Sequence, residues 1–305
     1  MLGLRVDGID FKDSAGHIVK IAAVSDFALP ARWFMPSGPA ALVEPRLAEW
    51  TQIAHDGGYD GEITLRCMRH AAGWNRFALD PTTMPVTIYQ QGIRDLIEFC
   101  GTKGFRVELT GGDAQAIWPS ADPNEADPSA FQQHLNEVCG AIVDLPNVVL
   151  EELNERWKNG RAYGVVSPQW GTIHPLIRAS GYYENGSTPW SSSMNRDYVT
   201  LHGTRQVDAT RWPKTLNDMP VQASVLNTWF GKPVGLNEPY RFDNDTDPEW
   251  AARIGLCLAY CAEVCFHSQR GRDGDGFHDA PNQRAAAVRY FAGVRGGLIA
   301  AGLYA

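Results

Sequence analysis

Two stretches of sequence decide the fold, Val148-Val-Leu-Glu-Glu-Leu-Asn-Glu155 and Lys232-Pro-Val-Gly-Leu-Asn-Glu-Pro239. Each contains a short apolar run of the kind found in buried parallel strands, and each reaches an Asn-Glu pair. Functional side chains of a parallel barrel lie where its strands end. We therefore expect both Asn-Glu pairs on the same face of one sheet.

Short apolar runs recur along the whole chain and bring the number of candidate strands to eight. In chain order they cover residues 21–24, 61–65, 105–109, 148–153, 188–192, 198–202, 233–236 and 264–267. Three of the segments between them begin with an acidic residue followed by Pro, which favours the first turn of a helix. These pairs begin at Glu44, Asp127 and Asp247, and they predict helices over residues 47–54, 131–143 and 250–263.

The alternation of strands and helices predicts a parallel sheet closed into a (β/α)8 barrel, with residues 1–305 as one domain. Residues 1–20 predict a short β-hairpin that closes the barrel floor. A doubly wound open sheet is the alternative, but no GxGxxG motif follows any candidate strand. The fifth and sixth candidate strands are too close together to enclose a helix, so either that helix is lost or the fifth strand lies elsewhere.

Composition and charge narrow the class of ligand. With 44% apolar and 20% charged residues, the chain resembles a globular protein with a sizeable core. The net charge is -8 and the basic residues are scattered, which argues against nucleic acid or an anionic membrane as partner and favours a neutral ligand. No signal peptide or membrane span is visible, so we expect a soluble, cytoplasmic protein unless a leader was removed. The oligomeric state is left open.

Six cysteines are too few in a chain of 305 residues to suggest a disulfide scaffold. Cys257, Cys261 and Cys265 recur every four residues, which would align three thiols on one face if the segment were a helix. They lie, however, in an apolar run over residues 254–266. We interpret them as small buried apolar residues rather than as a metal or redox site.

Glu155 and Glu238 are the candidate catalytic residues, because a carboxylate at a strand tip is well placed to act as an acid, a base or a nucleophile. The alternative is that both are helix-start carboxylates, which the positive end of a helix dipole stabilises. Glu151 lies deeper in its strand and is interpreted as a paired structural carboxylate.

Tryptophans are frequent in the segments that follow the candidate strands. Aromatic faces stack on the C–H faces of sugar rings, so the set favours a carbohydrate cleft, although each ring could equally anchor its own loop. The set comprises Trp33, Trp74, Trp118, Trp157, Trp170 and Trp190.

With these residues the sequence resembles the clan A retaining glycoside hydrolases. In these cellulase-like barrels the acid/base Glu follows an Asn after strand four, and the nucleophile Glu ends strand seven. The resemblance covers most of the chain. Its matching positions are Gly8, Phe11, Asp13, Gly16 and Ile18 of the hairpin, then Arg66, Asn154, Glu155, His202 and Glu238.

The resemblance implies cleavage of β-O-glycosidic bonds in an oligo- or polysaccharide by double displacement, with no cofactor and no metal. Glu155 would protonate the leaving oxygen and Glu238 would attack the anomeric carbon. Arg66 would keep Glu238 ionised, Asn154 would support the pair, and His202 would line the site. The remaining candidates for substrate binding are Trp74, Trp118, Trp157, Trp190 and His267.

Two strand ends depart from the family pattern. Strand three, which contains Glu108, lacks the His that many members place nearby, and strand eight presents His267 where many members present a Trp. The second departure motivates an alternative, a catalytically inactive barrel that binds glycan. His202 and His267 at strand ends suggest a metal-dependent hydrolase, although such sites usually gather more ligands. The acidic run at residues 243–247 is interpreted as a helix cap rather than a cation loop.

Overall fold

A computed structural model of the chain describes residues 3–68, 86–110, 140–151, 178–182, 197–202, 227, 231–238, 247–267 and 281–304. At residues 68, 86, 178–182, 201–202, 237–238 and 281–282 it describes the backbone alone. No helix within these ranges is long and apolar enough to cross a membrane.

Three short strands at the N-terminus form an antiparallel sheet: β1 (Arg5–Asp7), β2 (Asp10–Lys12) and β3 (Ile18–Val19). The expected hairpin is therefore present, with one additional short strand. Phe11 in β2 is fully buried, and its ring packs edge-on against Tyr198 with the ring centroids 5.0 Å apart. Because Tyr198 is the first residue of a barrel strand, the small sheet covers the floor of the barrel.

Eight parallel strands close into a barrel, in which each strand pairs with the next along the chain and the last pairs with the first. They are β4 (Ile21–Ser25), β5 (Ile63–Met68), β6 (Phe105–Thr110), β7 (Val148–Glu151), β8 (Arg178–Tyr182), β9 (Tyr198–His202), β10 (Val234–Glu238) and β11 (Glu263–Phe266). The described α-helices are α1 (Leu29–Trp33), α2 (Glu44–Asp56), α3 (Val86–Thr102), α4 (Pro248–Leu256) and α5 (Pro281–Ala300). A short π-helix (Pro39–Val43) precedes α2, and a 3-10 helix (Cys257–Ala259) follows α4. The predicted (β/α)8 barrel is confirmed.

Side chains alternate between two environments along each barrel strand, as the two-residue period of a strand requires. Leu65, Val107 and Leu150 point outward and join the large apolar cluster beneath the helices. Arg66 and Glu108 have the opposite parity and lie fully buried in the lumen. The lumen is therefore charged at mid-height, where most barrels are filled by branched apolar side chains.

The fifth barrel strand is Arg178–Tyr182, so the expected strand at residues 188–192 was wrong. In the register, Ala179 lies opposite Tyr198 and Gly181 lies opposite Thr200. Small residues at these positions leave the strand without a run of large apolar side chains, the pattern by which strands are recognised. The corrected position also removes the spacing problem, because a longer segment now separates the fifth strand from the sixth.

Helix α4 begins where it was predicted and ends earlier. Asp247 Oδ1 accepts hydrogen bonds from the backbone N–H groups of Glu249 at 2.9 Å and Trp250 at 3.3 Å, so this acidic residue is a helix cap, as interpreted. The helix stops at Leu256 and not at residue 263, because the chain must turn to enter β11 at Glu263.

Cys257, Cys261 and Cys265 consequently do not share a helix face. The first lies in the 3-10 turn after α4, the second in the following turn and the third in β11. All three are buried, and burial raises the pKa of each thiol. Their interpretation as buried apolar residues is confirmed.

Helices α4 and α5 pack backbone against backbone at glycines. A Cβ atom on Gly293 would lie 2.1 Å from the carbonyl oxygen of Ala252, and one on Gly255 would lie 2.3 Å from the carbonyl oxygen of Tyr290. Both distances are far below van der Waals contact, so only glycine permits this approach.

Asp26, the residue after β4, ties α1 and α2 to the barrel. Its carboxylate accepts hydrogen bonds from Arg46 Nε at 2.7 Å, Trp50 Nε1 at 3.1 Å and Arg32 Nη1 at 3.4 Å. Burial by itself raises the pKa of Asp26, but the two guanidinium groups and the hydrogen bonds outweigh it and leave the pKa below its usual value. The carboxylate is therefore ionised and fully paired inside the protein.

Candidate active site

Arg66 lies at the centre of a charged cluster in the lumen. Its Nη2 donates a hydrogen bond to Glu151 Oε2 at 2.9 Å, and its Nε lies 3.3 Å from Glu108 Oε1. Its guanidinium carbon is 5.2 Å from the centroid of the Phe27 ring, in cation–π geometry. Burial disfavours the charged form, but the carboxylates of Glu151 and Glu108 raise the pKa of Arg66 above its usual value, so the side chain stays charged.

Glu151 is the paired structural carboxylate that its depth in the strand predicted. Besides Arg66, it accepts hydrogen bonds from Thr110 Oγ1 at 2.7 Å and from Thr200 Oγ1 at 3.5 Å. These donors come from β5, β6 and β9, so one carboxylate joins three other strands across the lumen. Hydrogen bonds to an ionised acceptor are the strong ones, and here they fix the guanidinium of Arg66 from one side.

Glu108 and Glu263 form the second part of the cluster. From the far side of the lumen, the hydroxyl group of Tyr198 donates a hydrogen bond to Glu108 Oε2 at 3.3 Å. Burial and the charge of Glu151 raise the pKa of Glu108 to about 6, against the lowering effect of Arg66. Burial and the neighbouring Glu108 raise the pKa of Glu263 well above its usual range, which favours the protonated form of its carboxyl group.

His267 follows β11 directly and is 3% exposed. Its Nδ1 is 3.0 Å from the hydroxyl oxygen of Ser25, which ends β4, and the same oxygen is 3.5 Å from the sulfur of Cys265. The imidazole ring also lies 5.5 Å from the Phe27 ring, centroid to centroid. Phe27 thus contacts both Arg66 and His267, the two predicted site residues whose side chains the structure describes.

His202 and Glu238 end the neighbouring strands β9 and β10, as predicted. The register pairs Leu236 with Leu201 and then Glu238 with His202, so β10 has one extra residue, Asn237, before its end. A β-bulge of this kind re-aims the residues after it and is frequent beside active sites. The side chains of His202 and Glu238 lie outside the described part of the chain, so their roles remain predictions.

Of the other predicted site residues, the structure describes Arg66 but not the rest. Arg66 was expected at the tip of strand two, but β5 continues to Met68, so Arg66 lies inside the lumen and its charge is held by Glu108 and Glu151. Its predicted pairing with Glu238 stays a prediction. The residues that lie outside the described ranges are Asn154, Glu155, Trp74, Trp118, Trp157 and Trp190.

Three members of this site were not predicted from the sequence: Ser25, Tyr198 and Glu263. All three could have been recognised from the two-residue period of a strand. Within an apolar strand run, two polar residues at positions i and i+2 indicate the face that points into the lumen. Glu263 just precedes the predicted eighth strand and was assigned to a helix instead. Among the described residues, no group of three or more His, Cys, Asp or Glu side chains could hold a metal ion.

Comparison with known proteins identifies a class of fold. No protein-family model matches the sequence, and no curated protein matches it. Solved structures do match, and those described next share the barrel of the glycoside hydrolases. This likeness agrees with the fold that the sequence resemblance implied.

Three solved structures show the extent of this likeness. One named only as a glycoside hydrolase has a TM-score of 0.65 at 13% identity, over 96% of this chain and 74% of its own. A family 5 glycoside hydrolase of Bacteroides vulgatus has a TM-score of 0.62 at 12% identity, over 89% of this chain and 63% of its own. The catalytic domain of an endoglucanase of Thermobifida fusca, in complex with cellotetraose, has a TM-score of 0.59 at 16% identity, over 94% of this chain and 96% of its own.

Proposed function

We propose that this protein is a retaining glycoside hydrolase that cleaves β-O-glycosidic bonds of an oligo- or polysaccharide. Glu155 is the acid/base and Glu238 is the nucleophile. Arg66 and Asn154 support the two carboxylates, and His202, His267 and the loop tryptophans Trp74, Trp118, Trp157 and Trp190 bind the sugar. The reaction needs neither a cofactor nor a metal.

The observation that carries the proposal is the end of β10. Glu238 is the last residue of this strand, after a β-bulge and opposite His202, at the end of the barrel where strands present reacting groups. Below it, the lumen holds the permanently charged Arg66. A buried guanidinium favours the ionised form of a carboxylate near it, which is the form that a nucleophile requires.

The proposed reaction has two steps. Glu155 donates a proton to the glycosidic oxygen while the Glu238 carboxylate bonds to the anomeric carbon, and the C–O bond to the leaving group breaks. Glu155, now ionised, then takes a proton from a water whose oxygen attacks the same carbon and releases Glu238. The net negative charge of the chain supports a neutral glycan as substrate, and the cellotetraose bound to the Thermobifida endoglucanase makes β-linked glucans the first to test.

The test combines a substrate panel with variants of the two glutamates. Wild type, Glu155→Ala and Glu238→Ala are assayed on fluorogenic β-glycosides and on soluble β-glucans and β-mannans. We expect each substitution to lower kcat/KM by about 10²–10⁴-fold. Glu249→Gln is the matched control, because its side chain is exposed on α4, and it should retain wild-type activity.

Further readouts separate the mechanisms. A 2-fluoro glycoside should label Glu238, detected by mass spectrometry of the peptides, and the first product should retain the β-anomer by NMR. Carboxyl groups about 5–5.5 Å apart in a crystal structure would agree with retention, whereas about 6.5–9.5 Å would indicate inversion. Glycan binding without turnover, unchanged in both variants, would replace the proposal by the inactive binding barrel. Loss of activity with a chelator would indicate a metal-dependent hydrolase.

A further inference from the structure

Among the described residues at mid-height of the lumen, buried acid outnumbers buried base. Arg66, Glu108, Glu151 and Glu263 are each 0% exposed, so one cation lies among three carboxyl groups. An uncompensated charge in a protein interior is costly, and such groups are paired or neutralised instead. Arg66 and Glu151 form a close ion pair. The charge state of Glu108 and Glu263 is therefore the open question.

Glu263 forms no ion pair with a described residue. Neither of its oxygens makes a hydrogen bond to a described residue, and the same holds for Glu108 Oε1. The two carboxyl groups nevertheless lie close enough for each to shift the pKa of the other. Two carboxylates cannot donate to each other, whereas a carboxylic acid can donate to a carboxylate. One proton between them satisfies both groups.

The backbone has a gap that fits the Glu263 side chain. Gly235 in β10 lies opposite Glu263 in the register, and a Cβ atom on Gly235 would be 2.9 Å from Glu263 Cβ and 3.0 Å from its Oε2. Only glycine leaves this room. Glu263 thus rests against β10, and three residues after Gly235 this strand ends in Glu238.

The other inward positions around the pair add few ionisable groups. β5 contributes Arg66, β7 contributes Glu151, β9 contributes Tyr198 and β11 contributes Cys265. Arg106 in β6 binds Glu62 and the carbonyl of Pro146 away from the pair. Beyond β11 the titratable His267 follows. The remaining described positions of the same parity are uncharged: Ile21, Ala23 and Ser25 in β4, Thr64 in β5, Thr110 in β6, Val149 in β7, Thr200 in β9 and Gly235 in β10.

We propose that Glu108 and Glu263 share one proton and that this pair holds Arg66 in place beneath the carboxyl end of β10, which makes Glu263 a positioning residue of the proposed active site. Glu108 Oε1 faces Arg66 Nε, while its Oε2 accepts from Tyr198. The proton on Glu263 keeps a second full negative charge away from Glu108. The catalytic part of the proposal rests on the proposed function, whereas the shared proton does not.

The shared proton has a consequence for stability against pH. The carboxyl group of a glutamate in the unfolded chain has a pKa of about 4.5, whereas burial and neighbouring carboxylates raise the pKa of Glu108 to about 6 and also raise that of Glu263. The folded protein therefore keeps protons that the unfolded chain releases. The associated stability is complete below about pH 4.5 and is lost as the pH rises through the folded pKa values. Each such proton raises the unfolding equilibrium constant about tenfold per pH unit in that window.

Glu263→Gln is the first test, because an amide keeps the hydrogen-bond donor to Glu108 and carries no titratable proton. Chemical unfolding of wild type and variant is compared from about pH 5 to about pH 9. We expect the variant to lose up to one proton from the pH dependence of unfolding above about pH 4.5, where a glutamate of the unfolded chain is ionised. Its unfolding constant should therefore rise up to about tenfold less per pH unit than that of the wild type. The exposed control Glu249→Gln should keep the wild-type pH dependence. An unchanged pH dependence in Glu263→Gln overturns the shared proton.

A measurement on the unmutated pair covers the case in which a variant does not fold. In a Glu155→Gln background, which removes the proposed catalytic acid, ¹³C-glutamate labelling and infrared spectroscopy should detect a protonated carboxyl group at neutral pH. This signal should disappear when the protein unfolds. Its absence from the folded protein overturns the proposal.

The positioning role is tested by the pH profile of kcat/KM. Glu263→Ala removes the hydrogen-bond donor to Glu108, so Arg66 is held less firmly. The acid limb of the profile reports ionisation of the proposed nucleophile, and its midpoint should shift to a pH about one unit higher. Glu263→Gln should restore the limb, which a purely structural role does not predict. If activity exists but the limb is the same in all three proteins, the positioning role is wrong and the proposed function stands. If no glycoside is cleaved, the unfolding and infrared arms still decide the shared proton.

Discussion

Removal of Arg66 should be among the most destabilising single changes in the barrel. Arg66→Met keeps much of the side-chain volume but leaves Glu151 without its buried cation, and breaking a buried pair in this way costs about 3–5 kcal/mol. Glu151→Gln should cost less, about 1.5–3 kcal/mol, because Arg66 retains Glu108 as a partner. A domain typically has about 5–15 kcal/mol of stability in total, so both effects are large enough to measure.

The double variant reveals whether the two side chains act as a unit. Arg66→Met with Glu151→Gln removes both charges, so its cost should be smaller than the sum of the single costs by about 1–3 kcal/mol. Urea unfolding followed by tryptophan fluorescence at neutral pH gives all three values, provided that the denaturant slope is the same in each variant.

A surface ion pair provides the control for this cycle. Arg94 binds Asp144 through two hydrogen bonds of 2.6 and 2.9 Å, but the pair is open to solvent. Arg94→Met should therefore have little effect on the unfolding midpoint. If Arg66→Met costs no more than Arg94→Met, the buried ion pair does not stabilise the barrel. The same conclusion follows if the effects of the Arg66 and Glu151 substitutions add within about 0.5 kcal/mol.

Three further predictions concern the framework of the site. Asp26→Asn should lower the unfolding free energy by about 3–5 kcal/mol at neutral pH, because it breaks a buried pair with two arginines. Since the folded pKa of Asp26 is below 3.8, the difference in stability between variant and wild type should shrink as the pH falls below that value. A difference that does not change with pH in a thermal unfolding series would contradict this prediction. Gly293→Ala should lower the unfolding free energy by about 1–3 kcal/mol, because its Cβ meets a backbone oxygen at 2.1 Å; Gly296→Ala, which meets only a flexible side chain at 3.1 Å, should be neutral or stabilising by up to about 1 kcal/mol, and equal effects in urea titrations would refute the helix contact. Ser25→Ala removes the hydrogen bond to His267 Nδ1. In steady-state kinetics it should raise KM about two- to tenfold, which corresponds to about 0.5–1.5 kcal/mol. An unchanged KM would argue against a contact between His267 and the sugar.

Local sequence rules predicted the elements that depend on local physics. The Asp-Pro pair at residue 247 begins a helix because its carboxylate accepts from the first free amides, whatever the rest of the chain does. The apolar residues of β6 and β7 predicted strands correctly, because their outward-facing side chains pack against the apolar side chains of the helices. The same rules failed at β8, because Ala179 and Gly181, which the register pairs with Tyr198 and Thr200, are small residues.

The charged lumen could not be predicted from sequence spacing. Arg66 and Glu151 are 85 positions apart, and Tyr198 and Glu108 are 90 apart, yet each pair meets within 3.3 Å. Nothing local in either partner specifies the other, because they come together only when eight strands close into a ring. Resemblance pointed to Arg66 as a site residue but placed it at a strand tip, whereas its partners hold it inside the barrel.

The amino-acid sequence was sufficient for the (β/α)8 architecture, the hairpin at its floor and the strand ends at His202 and Glu238, because hydrophobic periodicity and helix caps act over a few residues at a time. The pairing of the buried charged side chains, in contrast, was determined only by closure of the barrel. A strand fixes the face on which a side chain lies, but the energy of a buried charge depends on every group across the lumen, and that set of neighbours exists only in the folded protein.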